Sequence, residues 1–527
     1  LDGSGCFKPL FRKTASRARE NLSWLRHDSS SFHLLPTNYS MTNHTTSKPP
    51  TQRILILGGG FGGVYAALHL EKLLARKRDV ELCLVSRDNF FLFTPMLHEI
   101  AASDLEITNI VNPLRKLLRR TEVLVGDVEQ IDLPNQRVLI SHGYGNHSHA
   151  LRYDHLVLAL GSVTNFFNLP GLAELALAMK SLPDAIQLRA QIIGHLEEAN
   201  SERILTDRQS LLTFVVAGGG FAGVETVAAL NDFVREALRY YPNLRQEMLR
   251  VVLVHSGAVI LPELGESLGR CAQKALVRRG VEIRLNTRVT SMTENEVFVT
   301  GSVPMPASTL VWTAGTVPNP LVSSLPCQKE RGGRVLVNEF LQVPEWPGVW
   351  AVGDCGLVPD TRRPGKSHPP TAQHAIREGR VVAQNIAASL YCRPLKPFSF
   401  KTIGLLASIG RRRGVARIFG FNFSGFFAWW LWRTIYLSKL PGLDKKVRVA
   451  FEWTLDLLFR KDVCAVHHQP RRSDCYREEQ HENTFGSNGN GRPTPSADTS
   501  SGKQIHSKKE SVREYSAPIS GQEQWAS

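Results

Sequence analysis

Two short stretches constrain the fold of this chain more than anything else in it: RILILGGGFGGVYAALHL over 53–70 and FVVAGGGFAGVETVAAL over 214–230. In each, an apolar run with strand character meets a glycine cluster, and an apolar pattern with helical period follows. Gly58, Gly60 and Gly63 in the first, and Gly218, Gly220 and Gly223 in the second, fit G-x-G-x-x-G. The first glycine permits a tight turn out of the strand. The second lets a pyrophosphate approach the backbone, and the third lets the helix pack close to the sheet. The helix then directs its unpaired N–H groups at the phosphates. One such match alone also describes a strand–helix turn without a ligand. Two in matching contexts point to two dinucleotide sites in one polypeptide.

The strand after each turn normally ends in an acid that binds a ribose hydroxyl. Here the first such strand, in ELCLVSRDNF, places Ser86 there, with Arg87 beside it, and the second, in RVVLVHSG, places His255 there. Ser86 can still hydrogen-bond a ribose. Without a carboxylate at 255, repulsion of a 2′-phosphate is lost, so NADPH stays open beside NADH.

Alternating strands and helices organise the chain. Strands are expected at 53–57, 80–85, 122–125, 137–140 and 155–160, then at 212–217, 250–254, 281–285 and 308–312, with a helix after Pro183. The segments divide as a disordered or targeting lead over 1–51, a first α/β unit over 52–210, a second over 211–316, a return to the first over 317–398, an aromatic and basic stretch over 399–462, and a polar tail over 463–527 expected to be disordered. Residues upstream of Met41 are expected to lie outside the mature protein or to act as a transit peptide.

A chain of 527 residues is long enough for two or three domains, and its formal net charge of +15 suggests an anionic partner, nucleic acid or an anionic membrane surface. The eight cysteines form no C-x-x-C pair, which argues against a zinc ribbon, an iron–sulfur cluster or a redox disulfide and fits a reducing compartment. No metal site is expected. The run IFGFNFSGFFAWWLW over 418–432 is shorter than the roughly 20 residues that cross a bilayer.

Together with NFFLFTPMLHEIA, YDHLVLALGSVTNFFNLPG, LVWTAGTVPNPL, VWAVGDC, PPTAQHAIREGR and the aromatic stretch after Phe423, the two turns make the chain resemble the type II NADH:quinone oxidoreductases over about 52–462. The resemblance implies an α/β protein with two Rossmann-like dinucleotide-binding domains, for FAD and NAD(P)H, plus a C-terminal amphipathic membrane-associating segment. It implies hydride transfer from NAD(P)H to flavin, then two electrons to a membrane quinone, without proton pumping.

On that resemblance Gly58, Gly60, Phe61, Gly62 and Gly63 line the FAD pyrophosphate. Ser86 and Arg87 lie near the adenosine ribose, Val128 near the adenine, and Thr94, Pro95 and Gly161 toward the flavin. Asp354 holds the ribityl or pyrophosphate part, or else caps a helix. Gly218, Gly220, Phe221, Gly223, His255, Ala314 and Gly315 follow the nicotinamide nucleotide. Glu225 stands near the nicotinamide or merely favours the helix dipole. Gln373 keeps the first glutamine of the quinone motif A-Q-x-A-x-Q, and Arg377 replaces the second; it bonds a quinone carbonyl or pairs with Glu378 or another acid. Arg411, Arg412, Arg413, Lys445, Lys446 and Arg448 are read as a basic cluster at a membrane surface, with a core helix as the alternative for this stretch. The expected partners are NAD(P)H, a membrane quinone and a membrane surface, with no nucleic acid and a homodimer open. The expected place is peripheral, on the cytoplasmic side of a bacterial inner membrane or at the mitochondrial inner membrane. Rival readings are a sulfide:quinone reductase using Cys327 and Cys355, a ferredoxin-type reductase, or a flavin or nucleotide sensor without turnover.

Overall fold

The computed structural model describes residues 52–143, 147–459, 461 and 463–464. The expected lead over 1–51 and the tail from 465 on lie outside the described residues.

Continuous aliphatic runs dictate the two central sheets. Ile54, Leu55, Ile56 and Leu57 are fully buried, and so is most of Phe214–Val216 and Val251–Leu253. Runs without polar alternation suit strands covered on both faces, the environment of a parallel sheet between helices. Each such side chain contributes about 1.5–3 kcal/mol on leaving water. The first sheet holds Gln52–Leu57 at its centre, flanked by Val80–Ser86 and His155–Leu158, with Glu122–Val125 and the return strand Val349–Ala351 at the edges, all parallel. The second holds Thr213–Ala217 between Arg250–Val254 and Thr309–Trp312, with Val281–Arg284 and Leu177–Ala178 outermost, again all parallel.

Leu177–Ala178 reaches the second sheet from inside the stretch assigned by sequence to the first unit, and it carries the helix Leu182–Ser201 with it. The second layer therefore draws on residues before 211. Two antiparallel crossover strands, Ser162–Thr164 and Thr316–Pro318, run between the units. The helix Leu182–Ser201 opens with a capping box between Ser181 and Asp184, which explains the helix expected near Pro183.

The stretch over 399–462 is not a simple amphipathic segment. It forms an antiparallel meander, Gly404–Ser408, Gly414–Ile418 and Phe421–Gly425, followed by helices Phe426–Lys439 and Leu443–Leu458. One face of these helices is core: Trp429, Trp432, Val449 and Trp453 are buried. The opposite face exposes Phe426, Phe427, Trp430, Leu443, Val447, Phe451 and Leu458. The core-helix alternative thus holds for one face, and the other is apolar and exposed. One arginine of the expected surface cluster, Arg411, is instead half-buried, and so is Arg433 on the first of the two helices. The Arg411 guanidinium meets Glu236 at 3.4 Å and Asp456 at 3.7 Å, and Arg433 lies between the rings of Trp429 and Trp453, 4.3 and 4.7 Å from their centroids. Half-buried acids on neighbouring helices claim them, which sequence spacing could not show. Among the described residues no helix is long and apolar enough to cross a membrane.

Candidate active site

Each glycine turn has the backbone its sequence demands. Gly58 and Gly218 adopt φ of +114° and +117°, where a side chain is strained. A Cβ at Gly63 would lie 1.9 Å from the Gly58 carbonyl oxygen, and one at Gly223 would lie 1.9 Å from that of Gly218. Gly60 and Gly220 are the contrast: a Cβ on either would meet no atom within 4 Å. These positions are kept bare toward open space, at the N-cap of the helices Phe61–Leu73 and Phe221–Ala237. That is the cradle a pyrophosphate needs, so the residues fit a dinucleotide at each turn.

Below the turns, the residues at the two strand ends act as floors. Ser86 is buried with its Oγ under Gly59, and the His255 ring lies under Gly219, whose N–H donates to Nδ1 at 3.1 Å. Arg87 points away and pairs with Asp127 at 3.0 Å, at the start of the strand that carries half-buried Val128. Gly161 adopts φ of +69° just before the crossover strand. Asp354 is not a cap of the long helix Ala372–Leu390, whose N-cap is Thr371. Instead Asp354 accepts from Ser162 and from Lys180 at 3.3 Å. Ala314 and Gly315 form the turn after Thr309–Trp312, with the Phe167 ring over Gly315, and neither walls the central cavity.

That cavity, about 1110 Å³, lies where the first turns of the two helices approach each other. Phe61 and Phe221 enter it from the two glycine turns, Thr94 and Pro95 from a short helical turn, and Gln373 and Arg377 from the long helix. A Cβ on Gly379 would lie 2.6 Å from the Gly62 carbonyl oxygen, so the long helix packs against the first-turn helix almost without side chains between. This close approach aims Gln373 and Arg377 at the cavity. Arg377 does not pair with Glu378: it donates to the Gln373 carbonyl at 2.7 Å and lies 4.0 Å over the Phe400 ring. Glu378 is buried behind it and accepts from the Gly353 N–H at 2.7 Å.

Glu225 lines the same cavity and is 8% exposed. Its Oε1 accepts from the Ser408 N–H at 3.0 Å and from the Trp432 indole at 2.8 Å, and its Oε2 lies 3.9 Å from Nδ1 of His98. Burial pushes its carboxyl up to about 8, the two donated hydrogen bonds only partly offsetting the loss of water. Burial pushes His98 down to about 3, so that ring is neutral. A carboxyl titrating near neutrality in a cleft is suited to holding or releasing a proton. His98, Tyr65, Lys180, Trp432 and Tyr436 also wall or brace this site and were not singled out from the sequence. His98 and Tyr65 lay within quoted motifs and Trp432 within the quoted aromatic run, whereas Lys180 carried no local signal.

Cys355 is fully buried, its thiol donating to the carbonyls of Leu158 at 3.3 Å and Val352 at 3.4 Å, and burial pushes it up to about 11. It packs rather than reacts.

Known proteins place this architecture. The family model described as pyridine nucleotide-disulphide oxidoreductase matches residues 52–379, and the NDH2 C-terminal domain matches 403–462. A type II NADH:quinone oxidoreductase of Mycobacterium tuberculosis is 34% identical over 429 residues, covering 78% of this chain and 90% of its own. A probable NADH dehydrogenase of Dictyostelium discoideum is 32% identical over 419 residues, covering 78% and 91%. The structure of NDH2 from Plasmodium falciparum in complex with NADH has the same fold, with a TM-score of 0.73 at 19% identity, covering 79% of this chain and all of that one. The chain therefore belongs to the pyridine nucleotide-disulphide oxidoreductase family and, within it, to the type II NADH:quinone oxidoreductases.

Proposed function

We propose that the cavity between the two glycine-turn helices is where this NADH:quinone oxidoreductase passes electrons from NADH, by way of FAD, to a quinone. One observation carries the reading: Phe61 and Glu225, from two separate phosphate cradles, face Gln373 across a single cavity. FAD, when bound, supplies the two-electron step between a pyridine ring and a quinone.

The chain's residues do the rest. The cradle at Gly58–Gly63, with Ser86 as floor, Val128 along the adenine arm, and Thr94, Pro95, Gly161 and Asp354 toward the cavity, would hold FAD. Lys180 and Ser162 orient the Asp354 carboxylate, and Lys180 adds positive charge to that edge. The cradle at Gly218–Gly223, with Phe221 and His255, would hold the nicotinamide nucleotide, with Ala314 and Gly315 along its path. Glu225 stands at the reacting end as a protonated acid near pH 7, held in place by Trp432 and Ser408. Gln373 and Arg377 are assigned to the quinone, Gln373 as donor to a carbonyl and Arg377 as positive charge steadied by Phe400.

The exposed apolar stripe of the two C-terminal helices is read as the surface that meets lipid, from which a quinone enters. Its aromatic rings suit the headgroup boundary, and half-buried Lys446 and exposed Arg448 flank it. With no carboxylate at the 255 floor, NADPH is admitted beside NADH.

The test is spectroscopic. Anaerobic NADH bleaches the yellow protein, and a short-chain quinone restores the colour. A preparation that binds FAD but neither bleaches nor recovers sinks the reading. For the lipid-facing stripe, Phe451→Glu lowers sedimentation with anionic vesicles at least about tenfold while turnover with a water-soluble quinone stays within about twofold. Unchanged sedimentation removes that face from the proposal.

A further inference from the structure

Two imidazoles that the electron route leaves unused stand behind the cavity wall. His374, on the first turn of the long helix, is 1% exposed, and His368, in the preceding loop, is 4% exposed. Their ring centroids lie 5.3 Å apart, and the Nε2 of each has no hydrogen-bond partner among the described residues. Two buried ring nitrogens without partners carry the full cost of lost water. They are also complementary, because one can carry a proton and the other a lone pair. A spacing of 5.3 Å is small enough for a slight ring rotation or one water to join them.

The pair is connected at both ends. On the inner side, His374 Nδ1 is 2.7 Å from Oγ1 of Thr371, which walls the cavity beside Gln373. On the outer side, His368 Nε2 lies 3.8 Å from Oδ1 of Asp360. The other oxygen of Asp360 accepts from Arg363 at 2.7 Å, a side chain 60% exposed to solvent. Phe398 and Phe400 meet the two imidazoles edge-on at 4.9 and 5.1 Å and hold them in place. A bare helix cap needs only Thr371 and His374; it gives no reason for a second buried imidazole leading outward.

We propose that Asp360, His368, His374 and Thr371 form a proton wire that delivers the water-derived proton of quinone reduction into the cavity. Reduction of a quinone to its quinol takes two electrons and two protons. The dihydronicotinamide supplies both electrons and one proton as hydride; water supplies the other. Along the wire, Nε2 of His368 takes up a proton from water on the Asp360 side and, after a slight ring rotation, gives it to Nε2 of His374. His374 releases its Nδ1 proton to Oγ1 of Thr371, whose own hydroxyl proton passes to the quinone oxygen. Burial pushes His374 down to about 4, and His368 is lowered for the same first reason, with Arg377, Arg363 and Asp360 as the charged groups facing them. Both rings are then neutral at rest at pH 7; His374 relays by exchanging tautomers, and His368 by carrying the proton briefly beside the Asp360 carboxylate.

The proposal rests on the reading of the cavity as the quinone site. Its test uses the FAD-loaded full chain and separates the half-reactions. In His374→Gln, bleaching by NADH stays within about twofold of wild type. Recovery with a short-chain quinone slows on the order of tenfold or more and changes its solvent deuterium isotope effect. In His374→Ala, free imidazole restores recovery, which a structural role alone would not allow. Independently of turnover, nitrogen NMR of labelled histidines shows the His368 Nε2 signal moving when His374 is replaced. Thr371→Val, close in volume, carries the test if the His374 variants do not fold. Wild-type recovery rate and isotope effect in folded His374→Gln and Thr371→Val overturn the wire. Failure of a quinone to restore colour in the wild type overturns the reading of the cavity instead.

Discussion

Gly58 and Gly218 share nearly one backbone angle, and Gly63 and Gly223 share the same 1.9 Å approach that forbids a Cβ. Two residues past the third glycine the copies part. The first helix carries Tyr65, which meets Phe91 edge-on at 6.5 Å; the second carries Glu225, gripped by Ser408 and Trp432 of the C-terminal module. The floors differ as well, a serine hydroxyl under Gly59 and an imidazole under Gly219. The phosphate cradle is thus a repeated part, fixed by glycine sterics. On the proposed assignment, what distinguishes the FAD turn from the nicotinamide turn is carried by side chains that the cradle itself does not need.

The largest effects come from spoiling one cradle at a time. Gly58→Ala and Gly218→Ala both force a side chain into a left-handed backbone and against a neighbouring carbonyl or hydroxyl, enough to weaken the respective nucleotide on the order of a hundredfold. The outcomes should differ in kind: Gly58→Ala yields colourless protein, whereas Gly218→Ala yields yellow protein that NADH no longer bleaches. A colourless Gly218→Ala would reverse the assignment of the turns.

His255→Glu restores an acid at the second floor. It should cut kcat/KM for NADPH about tenfold relative to NADH and weaken NADP⁺ more than NAD⁺ in calorimetry. Equal treatment of both nucleotides by this variant would place the 2′-position elsewhere.

Glu225→Gln keeps an oxygen for Trp432 and Ser408 but cannot titrate. Turnover should fall several-fold to about tenfold, and the pH dependence near 8 should vanish from kcat, with the melting temperature little changed. Glu225→Ala instead strands two buried donors and should cost about 1–3 kcal/mol for each. If Glu225→Gln leaves the pH profile intact, the carboxyl only fastens the C-terminal module.

Stability should respond to pH through the same burial. Glu99 and Glu225 are raised to about 8 and Glu378 to about 7, so the folded chain keeps protons that the unfolded chain releases near 4.5. Across that window the unfolding free energy falls as pH rises. His98, lowered to about 3, acts oppositely, but only below about 6.5. Among these groups the carboxyls therefore act alone from about pH 6.5 to 8, where denaturant midpoints should decline. The smallest effect is at the first floor: Ser86→Ala should weaken FAD only two- to threefold, one neutral hydrogen bond.

Much of this was legible in the chain itself. The nine expected strands lie within two residues of those observed. Most are aliphatic runs, whereas Arg137–His142 and Val281–Arg284 are interrupted by polar residues. Gly63 and Gly223 follow from contacts five residues back in the chain. Leu177–Ala178 was not legible, since a two-residue edge strand has no period to read. Trp432 and Glu225 stand 207 residues apart, and Lys180 and Asp354 stand 174 apart. Spacing in the sequence carries no trace of such meetings. Arg411 and Arg433 illustrate the converse: positive charge suggests surface, until neighbouring helices supply Glu236 and Asp456.

The sequence by itself determined the two cradles, because glycine alone satisfies a left-handed turn and a 1.9 Å approach to a carbonyl oxygen, and it determined the sheets, because apolar runs of that length must be covered on both faces. The tertiary structure decided which side of the aromatic helices faces the core, which carboxyls lose water, and which histidines stand together behind Gln373. Burial and desolvation are properties of what packs around a group, and that is settled only when distant segments meet.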